Sequence, residues 1–397
     1  MPVQTSRRPQ SPDPGAPGRV PPLIPTQPGP GGRGNGGSKK RSRRKDPLWA
    51  RLTVIFGAVL MMTSGLAIVG SKAVIGQATG NIAQRNLLGE AGKTDAEGGN
   101  SLDGPIDMLL LGVDARARWA ADDVRSDTII ILHIPASHDQ AYLISIPRDT
   151  EAQIPGHGTD KINAAFQFGA RNGGGWEGGA QLMAKTIKKM TGISFDGAAI
   201  INFGGFKGVI DALGTVRICV SHEVPSHHMM MVDGKPMWNA DAKKTGKPMT
   251  PVVHKKGCKE MEGWEALDFA RQRYGLPNSD YDRQQNQQQL IKAMAKKATQ
   301  NGTLTNPIKL NQLIKAAGKA FILDTGGVPI DDFIFTMKGV TGNDLTTLRT
   351  NGGTYSPNAD HTRESLNQLS MDMFQAVKDD KLAEFVVANP NVLSTRK

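Results

Sequence analysis

Nineteen consecutive residues without a charge, Thr53–Ser71 (TVIFGAVLMMTSGLAIVGS), constrain this chain more than any other feature. At a helical rise of about 1.5 Å per residue, such a run spans roughly 28 Å, close to the thickness of a bilayer's hydrocarbon core. Trp49 stands at its near edge, where an interfacial indole is favoured. Charged residues are absent from every face, which favours a membrane span over a buried core helix. Ser71-Lys72-Ala73 has the small-x-small form of a signal cleavage site, but the apolar run is long for a signal and follows a long leader. We therefore expect one transmembrane helix over residues 48–71.

Charge then sets the orientation. The formal net charge is +11, which first suggests nucleic acid or an anionic membrane surface. Residues 1–46 hold ten Lys/Arg against two Asp, a net of +8, which leaves +3 for everything after them. The same 46 residues carry ten prolines and eight glycines. Such a composition does not offset the entropy of ordering, so residues 1–47 read as a disordered basic tail. Its basic end, KKRSRRK at Lys39–Lys45, lies directly before the apolar run. The positive-inside rule places the tail in the cytoplasm and the rest of the chain outside. No nucleic acid is expected as a partner, because the part that folds is nearly neutral. Residues 72–102 read as a linker, 103–389 as the folded domain and 390–397 as a short tail. In an exported domain the two cysteines, Cys219 and Cys258, suggest one disulfide, with two unrelated buried thiols as the alternative.

The folded part reads as α/β. IDMLLLGV from Ile106, TIIILHI from Thr128, AYLISI from Ala141 and GTVRICV from Gly214 are apolar, β-rich runs suited to strands buried on both faces. Helical patterns lie between them, near Gln181–Met190 and Phe206–Leu213. Further helices are expected at Trp264–Gln272, from Ser279 or Asp280 to about Thr299, and near Ile308–Phe321, Pro329–Gly339 and Thr362–Asp379. The fold class is thus an α-β-α sandwich with a central mixed sheet flanked by helices.

Chemistry-bearing residues cluster at the strand ends, where ligands of α/β sheets usually bind. Asp114 follows the first run, RSDT (Arg125–Thr128) opens the second, and PRDT (Pro147–Thr150) follows the third. Asp114 and Asp127 suit one Mg²⁺ held through oxygen, with positions left for phosphate and water. Arg125 and Arg148 can fork onto phosphate oxygens. ALDFARQRYGLPNSDYDRQQNQQQL, Ala266–Leu290, adds Arg271, Arg273, Asp280, Arg283 and Gln287 without any histidine or cysteine. Residues i and i+2 of a helix point about 200° apart, so Arg271 and Arg273 converge only if the helix ends near Gln272. Read singly, these are also the residues of turns, caps and a solvated helix face.

The motifs LLLGVDARA, RSDTIIILHI, AYLISIPRDT, KINAAFQFGA, INFGGFKGVIDALGTVRICV and ALDFARQRYGLPNSDYDRQQNQQQ, in this order, resemble the LytR–CpsA–Psr family of bacterial cell-wall glycopolymer ligases. The similarity covers roughly residues 103–300. It implies a phosphotransferase outside the membrane. Such an enzyme moves a glycopolymer from a polyprenyl-pyrophosphate carrier onto peptidoglycan through a phosphodiester, with a possible pyrophosphatase side activity. Matched motif by motif, Asp114 and Asp127 would serve Mg²⁺. Arg148, Arg271, Arg273 and Asp280 would be catalytic, and Arg125, Lys161, Arg283 and Gln287 would bind phosphate. Asn163 would bind phosphate or brace its loop, and Asp280 or Asp149 would be the general base. Many members carry an arginine where Asn286 stands here. Phe166, Phe203, Phe206, Val209, Ile210 and Leu213 are candidates for a lipid channel, although most also suit an ordinary core. Ser221–Lys256 looks like a variable insertion. Its His222, His227, His228 and His254 read as exposed loop residues before metal ligands. A noncatalytic polyprenyl-phosphate-binding envelope protein is the alternative reading.

Overall fold

The computed structural model describes residues 82–94, 97, 102–113, 124–300, 306–330, 332, 336 and 340–394. The expected cytoplasmic tail, the expected span at 48–71 and Asp114 lie outside the described residues. Among the described residues, no helix is long and apolar enough to cross a membrane.

A seven-stranded mixed sheet forms the middle layer. Its strands are β1 (Ala83–Gln84), β2 (Ile106–Val113), β3 (Ser126–Ile134), β4 (Ala141–Ile146), β7 (Gly197–Asn202), β13 (Phe321–Asp324) and β14 (Leu345–Arg349), while β5 (Glu151–Ile154) and β6 (Gly158–Lys161) pair only with each other. They lie in the order β1-β13-β7-β2-β3-β4-β14. The three apolar runs read as buried strands are neighbours at its centre, because only a strand covered on both faces tolerates so few polar residues. On one face Leu109, Leu111, Ile129, Ile131, Ile144 and Ile200 form a core with Phe166, Met183, Ile187 and Phe374. Those partners come from α1 (Ile162–Ala170), α2 (Gly175–Thr191) and α7 (Gln368–Lys378). Strand alternation sends Met108, Ile130 and Leu143 to the other face, against Ile291 and Ala295. That face is roofed by α3 (Phe203–Leu213), α4 (Gly263–Arg271), α5 (Asp280–Gln300) and α6 (Pro307–Ala320).

Several expectations need correction. GTVRICV does not join the central sheet. Its strand β8 (Val216–Val220) pairs only with β12 (Gly257–Met261), and its residues alternate buried and exposed. A two-stranded ribbon packed on one side allows no more than that. The last expected helix begins at Gln368 rather than Thr362, because Asn367 caps it there by accepting from Ser370 N. The stretch read as a linker is partly domain: β1 adds an edge strand, and Leu87 and Leu88 are buried. Val392 of the expected C-terminal tail is buried too.

Cys219 lies opposite Cys258 across the β8–β12 ribbon, and the two form a disulfide. The bond closes off residues 221–256 as a lobe. The lobe carries a three-stranded antiparallel sheet of β9 (Val224–Val232), β10 (Lys235–Trp238) and β11 (Thr250–His254). With a sequence separation of 39, the closed loop is long enough for the bond to matter to the unfolded chain. Replacing both cysteines by serine should lower stability by about 2–4 kcal/mol, read from urea unfolding of the two proteins. An unchanged midpoint would mean that the ribbon holds the lobe without its covalent tie.

Candidate functional site

The site begins with a break in strand pairing. Gly112 pairs with Thr128, yet Val113 pairs with Ser126, so Asp127 is an extra residue in β3. A bulge of this kind re-aims a side chain and leaves a backbone group unpaired. Here both are used. The Asp127 carboxylate accepts from Arg148 Nη1 at 2.9 Å, and its carbonyl accepts from Arg283 Nη2 at 2.8 Å. Arg148 arrives on the turn after β4, and Arg283 on the first turns of α5. Asp280, one turn before Arg283, lies 2.9 Å from Arg283 Nη2 and 3.6 Å from Arg148 Nε. Asp149 stands 3.8 Å from Arg148 Nε and is held by Lys161 Nζ at 2.9 Å.

The two central arginines sit in opposite electrostatic situations. Burial opposes the Arg148 charge, but Asp127, Asp280 and Asp149 outweigh it and hold its pKa above the ordinary value. Burial of Arg283 pushes its pKa down. Asp280 and Asp127 oppose that, while the like charges of Arg148 and Arg273 add to it. Arginine still stays protonated at such positions. The two arginines are therefore drawn into a half-buried site and held there by three carboxylates. Arg148 Nε and Arg283 Nε are both buried with no hydrogen-bond partner. Buried polar atoms are usually paired, so these two Nε donors stand out, although Arg148 Nε has Asp280 Oδ1 at 3.6 Å.

A narrow apolar cleft of about 50 Å³ lies between the sheet and α3, α4 and α5, and reaches Thr128, the residue after Asp127. Leu110, Ile130, Ile201, Phe206 and Leu290 are among its walls, and Arg271 and Gln287 also line it. Gly112 leaves its floor open, because a Cβ there would meet the Thr128 Cβ at 2.7 Å. Gln287 Oε1 is buried without a partner. The arrangement suits a ligand with an anionic head and an apolar tail.

The expected residues divide as follows. Asp127, Arg148, Asp280 and Arg283 meet directly, and Lys161 joins them through Asp149. Asn163 braces the loop by donating its backbone N–H to the Arg148 carbonyl at 3.2 Å. Arg125 is exposed two residues before Asp127, and its Nε donates to Gln167 Oε1 at 3.0 Å. Helix α4 ends at Arg271, and Gln272 is extended (φ −64°, ψ 134°), as the convergence of Arg271 and Arg273 requires. Arg271 stacks on Trp238 at 5.3 Å and Arg273 on Tyr274 at 4.6 Å. Of the six channel candidates, Phe206 lines the cleft. Phe166 lies in the opposite core and Ile210 in a core beneath α4. The Phe203 side chain lies outside the described residues. His254 is no exposed loop histidine, being fully buried against Asp268. Among the described residues, no group of three or more His, Cys, Asp or Glu is placed to hold a metal.

The glutamine train also becomes intelligible. Successive residues of a helix turn by about 100°, so Gln287, Gln288 and Gln289 address three surroundings. Gln287 lines the cleft. Gln288 Nε2 donates to Leu143 O, Ser145 Oγ and Leu348 O, fastening β4 to β14. Gln289 clamps the backbone of Cys219 from both its amide atoms.

The LytR_cpsA_psr family model matches residues 74–378. The cell wall biosynthesis protein LcpA of Corynebacterium glutamicum is 27% identical over 333 residues, covering 76% of this chain and 59% of that protein. A second relative from that organism, LcpB, a probable cell wall biosynthesis protein, is 31% identical and matched over 48% of its length. The chain thus spans about half to three fifths of these curated relatives. The polyisoprenyl-teichoic acid–peptidoglycan teichoic acid transferase TagU of Oceanobacillus iheyensis is 30% identical over 247 residues, covering 62% of this chain and 67% of that one. The crystal structure of B. subtilis TagV superposes with a TM-score of 0.53 at 20% identity, over 71% of this chain and 98% of that one. That likeness concerns the fold.

Neighbouring glutamines should respond differently to the same change. Gln288→Leu removes the buried amide that links Leu143 and Ser145 of β4 to Leu348 of β14 and should cost about 1–3 kcal/mol in chemical denaturation. Gln287→Leu removes an amide whose oxygen has no partner and should stay within about 0.5 kcal/mol of the parent. Equal losses would contradict the division of labour along α5.

Proposed function

The chain belongs to the LytR_cpsA_psr family, and from that premise we propose that it is a membrane-anchored, extracytoplasmic phosphotransferase. Its donor is a glycopolymer on a polyprenyl-pyrophosphate carrier, and its acceptor is a hydroxyl of peptidoglycan. The observation that carries the reading is the pair of guanidinium groups, Arg148 and Arg283, whose buried Nε donors make no hydrogen bond, together with Arg271 and Gln287 in the wall of an apolar cleft. A diphosphate on a long hydrocarbon has both features, and a soluble nucleotide or a peptide has only one.

In this reading the acceptor oxygen attacks the phosphorus that bears the glycan. The bond from that phosphorus to the carrier phosphate breaks, and polyprenyl phosphate leaves. The acceptor's proton passes to a carboxylate, Asp280 or Asp149. Phosphoryl transfer asks the protein mainly to position groups and neutralise charge, and needs no protein nucleophile. Arg148 and Arg283, with Arg271, Arg273, Arg125 and Lys161 around them, supply that neutralisation. The phosphate oxygens also relieve the repulsion that Arg283 now bears from Arg148 and Arg273. Gln287 orients the head group at the cleft, and the cleft excludes water from the first isoprene units.

Mg²⁺ suits the donor set. Asp127 is a hard oxygen ligand whose Oδ1 is engaged by Arg148, and Asp114 follows the neighbouring strand in sequence. Magnesium commonly takes one or two carboxylates and completes its shell with phosphate and water. When bound it would neutralise charge on the phosphate oxygens. The same site would support slow release of phosphate from the carrier when water replaces the acceptor.

The full-length protein in detergent, given a polyprenyl pyrophosphate and Mg²⁺, should release phosphate. With a glycan-bearing carrier and peptidoglycan fragments it should form the phosphodiester. Arg148→Ala and Asp127→Ala should each lower kcat/KM by about 100-fold or more. Lipid binding without turnover in the parent protein would make the chain a carrier-binding protein and not an enzyme.

A further inference from the structure

A buried polar cluster joins the disulfide-closed lobe to the end of α4, outside the phosphate centre. Asp268 is fully buried and accepts three hydrogen bonds. Ser226 Oγ and Gln272 Nε2 donate to its Oδ1 at 2.9 Å each, and His254 Nε2 to its Oδ2 at 2.7 Å. Gln272 Nε2 also lies 3.1 Å from Ser226 Oγ and 2.9 Å from the Asp268 carbonyl. Its Oε1 accepts from the backbone N–H of His227. Ser226 Oγ accepts in turn from the backbone of His228 and Met229. Serine, histidine and aspartate are all present, but they do not form a nucleophile. Ser226 and His254 bind separate oxygens of one carboxylate, and no solvent reaches them.

The placement of Gln272 gives the cluster its meaning. That residue lies between Arg271 and Arg273 and breaks the helix with an extended backbone. The cluster grips its side chain at both ends. The same lobe supplies Trp238, under the Arg271 guanidinium at 5.3 Å, and His227, tilted against Tyr274 at 5.0 Å. Tyr274 in turn carries Arg273. Every support of these two arginines named here, apart from Tyr274 itself, runs through residues 226–272. We propose that Asp268, His254 and Ser226 are positioning residues for the phosphate site. They lock Gln272 so that Arg271 stays at the apolar cleft and Arg273 stays within electrostatic reach of Arg283. The inference rests on the reading that these arginines bind a lipid diphosphate.

Burying a carboxylate is costly unless donors satisfy it, and a cluster satisfied in one arrangement holds that arrangement rigidly. A misplacement of about 1 Å in a positioning group can cost about 100-fold in rate. Residues acting through a shared partner show coupled effects, whereas independent ones add.

The test is a coupling measurement on the full-length protein in detergent, with geranylgeranyl pyrophosphate as the probe and Kd as the readout. His254→Ala should raise Kd by about tenfold in the parent protein. In the Arg271→Ala/Arg273→Ala background the same change should raise it by less than about twofold. His254→Gln, which keeps a donor facing Asp268, should recover most of the lost affinity. An equal rise in both backgrounds, or none in either, overturns the proposal, since the cluster would then act on the fold at large. If His254→Ala does not fold, Ser226→Ala carries the same comparison, because it removes a single hydroxyl. A parent protein that does not bind the probe defeats the phosphate reading itself, and this inference with it.

Discussion

Two guanidinium groups forced together over one strand bulge are the constraint on which the rest of this structure turns. Arg148 and Arg283 come from distant parts of the chain, and Asp127 receives both, one on its carboxylate and one on its carbonyl. Like charges do not stay together in a half-dry site unless the surroundings over-determine their positions. Asp280 and Asp149 supply part of the compensation from two further elements. The Nε donors of both arginines are still left without a hydrogen bond.

Helix α5 is the organiser of that arrangement. Its first turns deliver Asp280 and Arg283 to the charged centre, and its next turn presents Gln287 to the cleft. Gln288 and Gln289, each rotated from the last, fasten the helix to the central sheet and to the ribbon. A helix tied by a buried amide on one side and by exposed hydrogen bonds on the other cannot slide or roll without breaking several hydrogen bonds. The charged groups at its start inherit that rigidity. Preorganisation of this kind lets arginines act on a phosphate without first rearranging.

The disulfide-closed lobe answers the same need from the other side. Arg271 and Arg273 sit at a helix end, where a chain normally frays. The cap that holds them comes from residues far away in sequence: Ser226, His254 and Trp238. An insertion that looks like a variable surface loop in the linear chain is therefore packed against the helix end that carries Arg271 and Arg273.

Much of the architecture was legible in the residues alone. The apolar runs at 106–113, 128–134 and 141–146 are strands because such runs cannot be exposed, and their neighbours are one another. The order of Arg, Asp and Gln motifs pointed to an anion site, and the break after Arg271 was implied by Gly275-Leu276-Pro277. Short strands such as β7, β13 and β14 were not legible, since four to six residues of mixed character carry no period of their own. Nor was the single-sided ribbon of β8, whose composition matches a fully buried strand. The bulge at Asp127, the buried His254 and the separate duties of adjacent glutamines were decided only by the tertiary structure. Each depends on what a side chain meets across the fold. Linear sequence determines which groups are available and at what spacing, while burial and pairing over long separations determine which of them are left with charge or donors to spare.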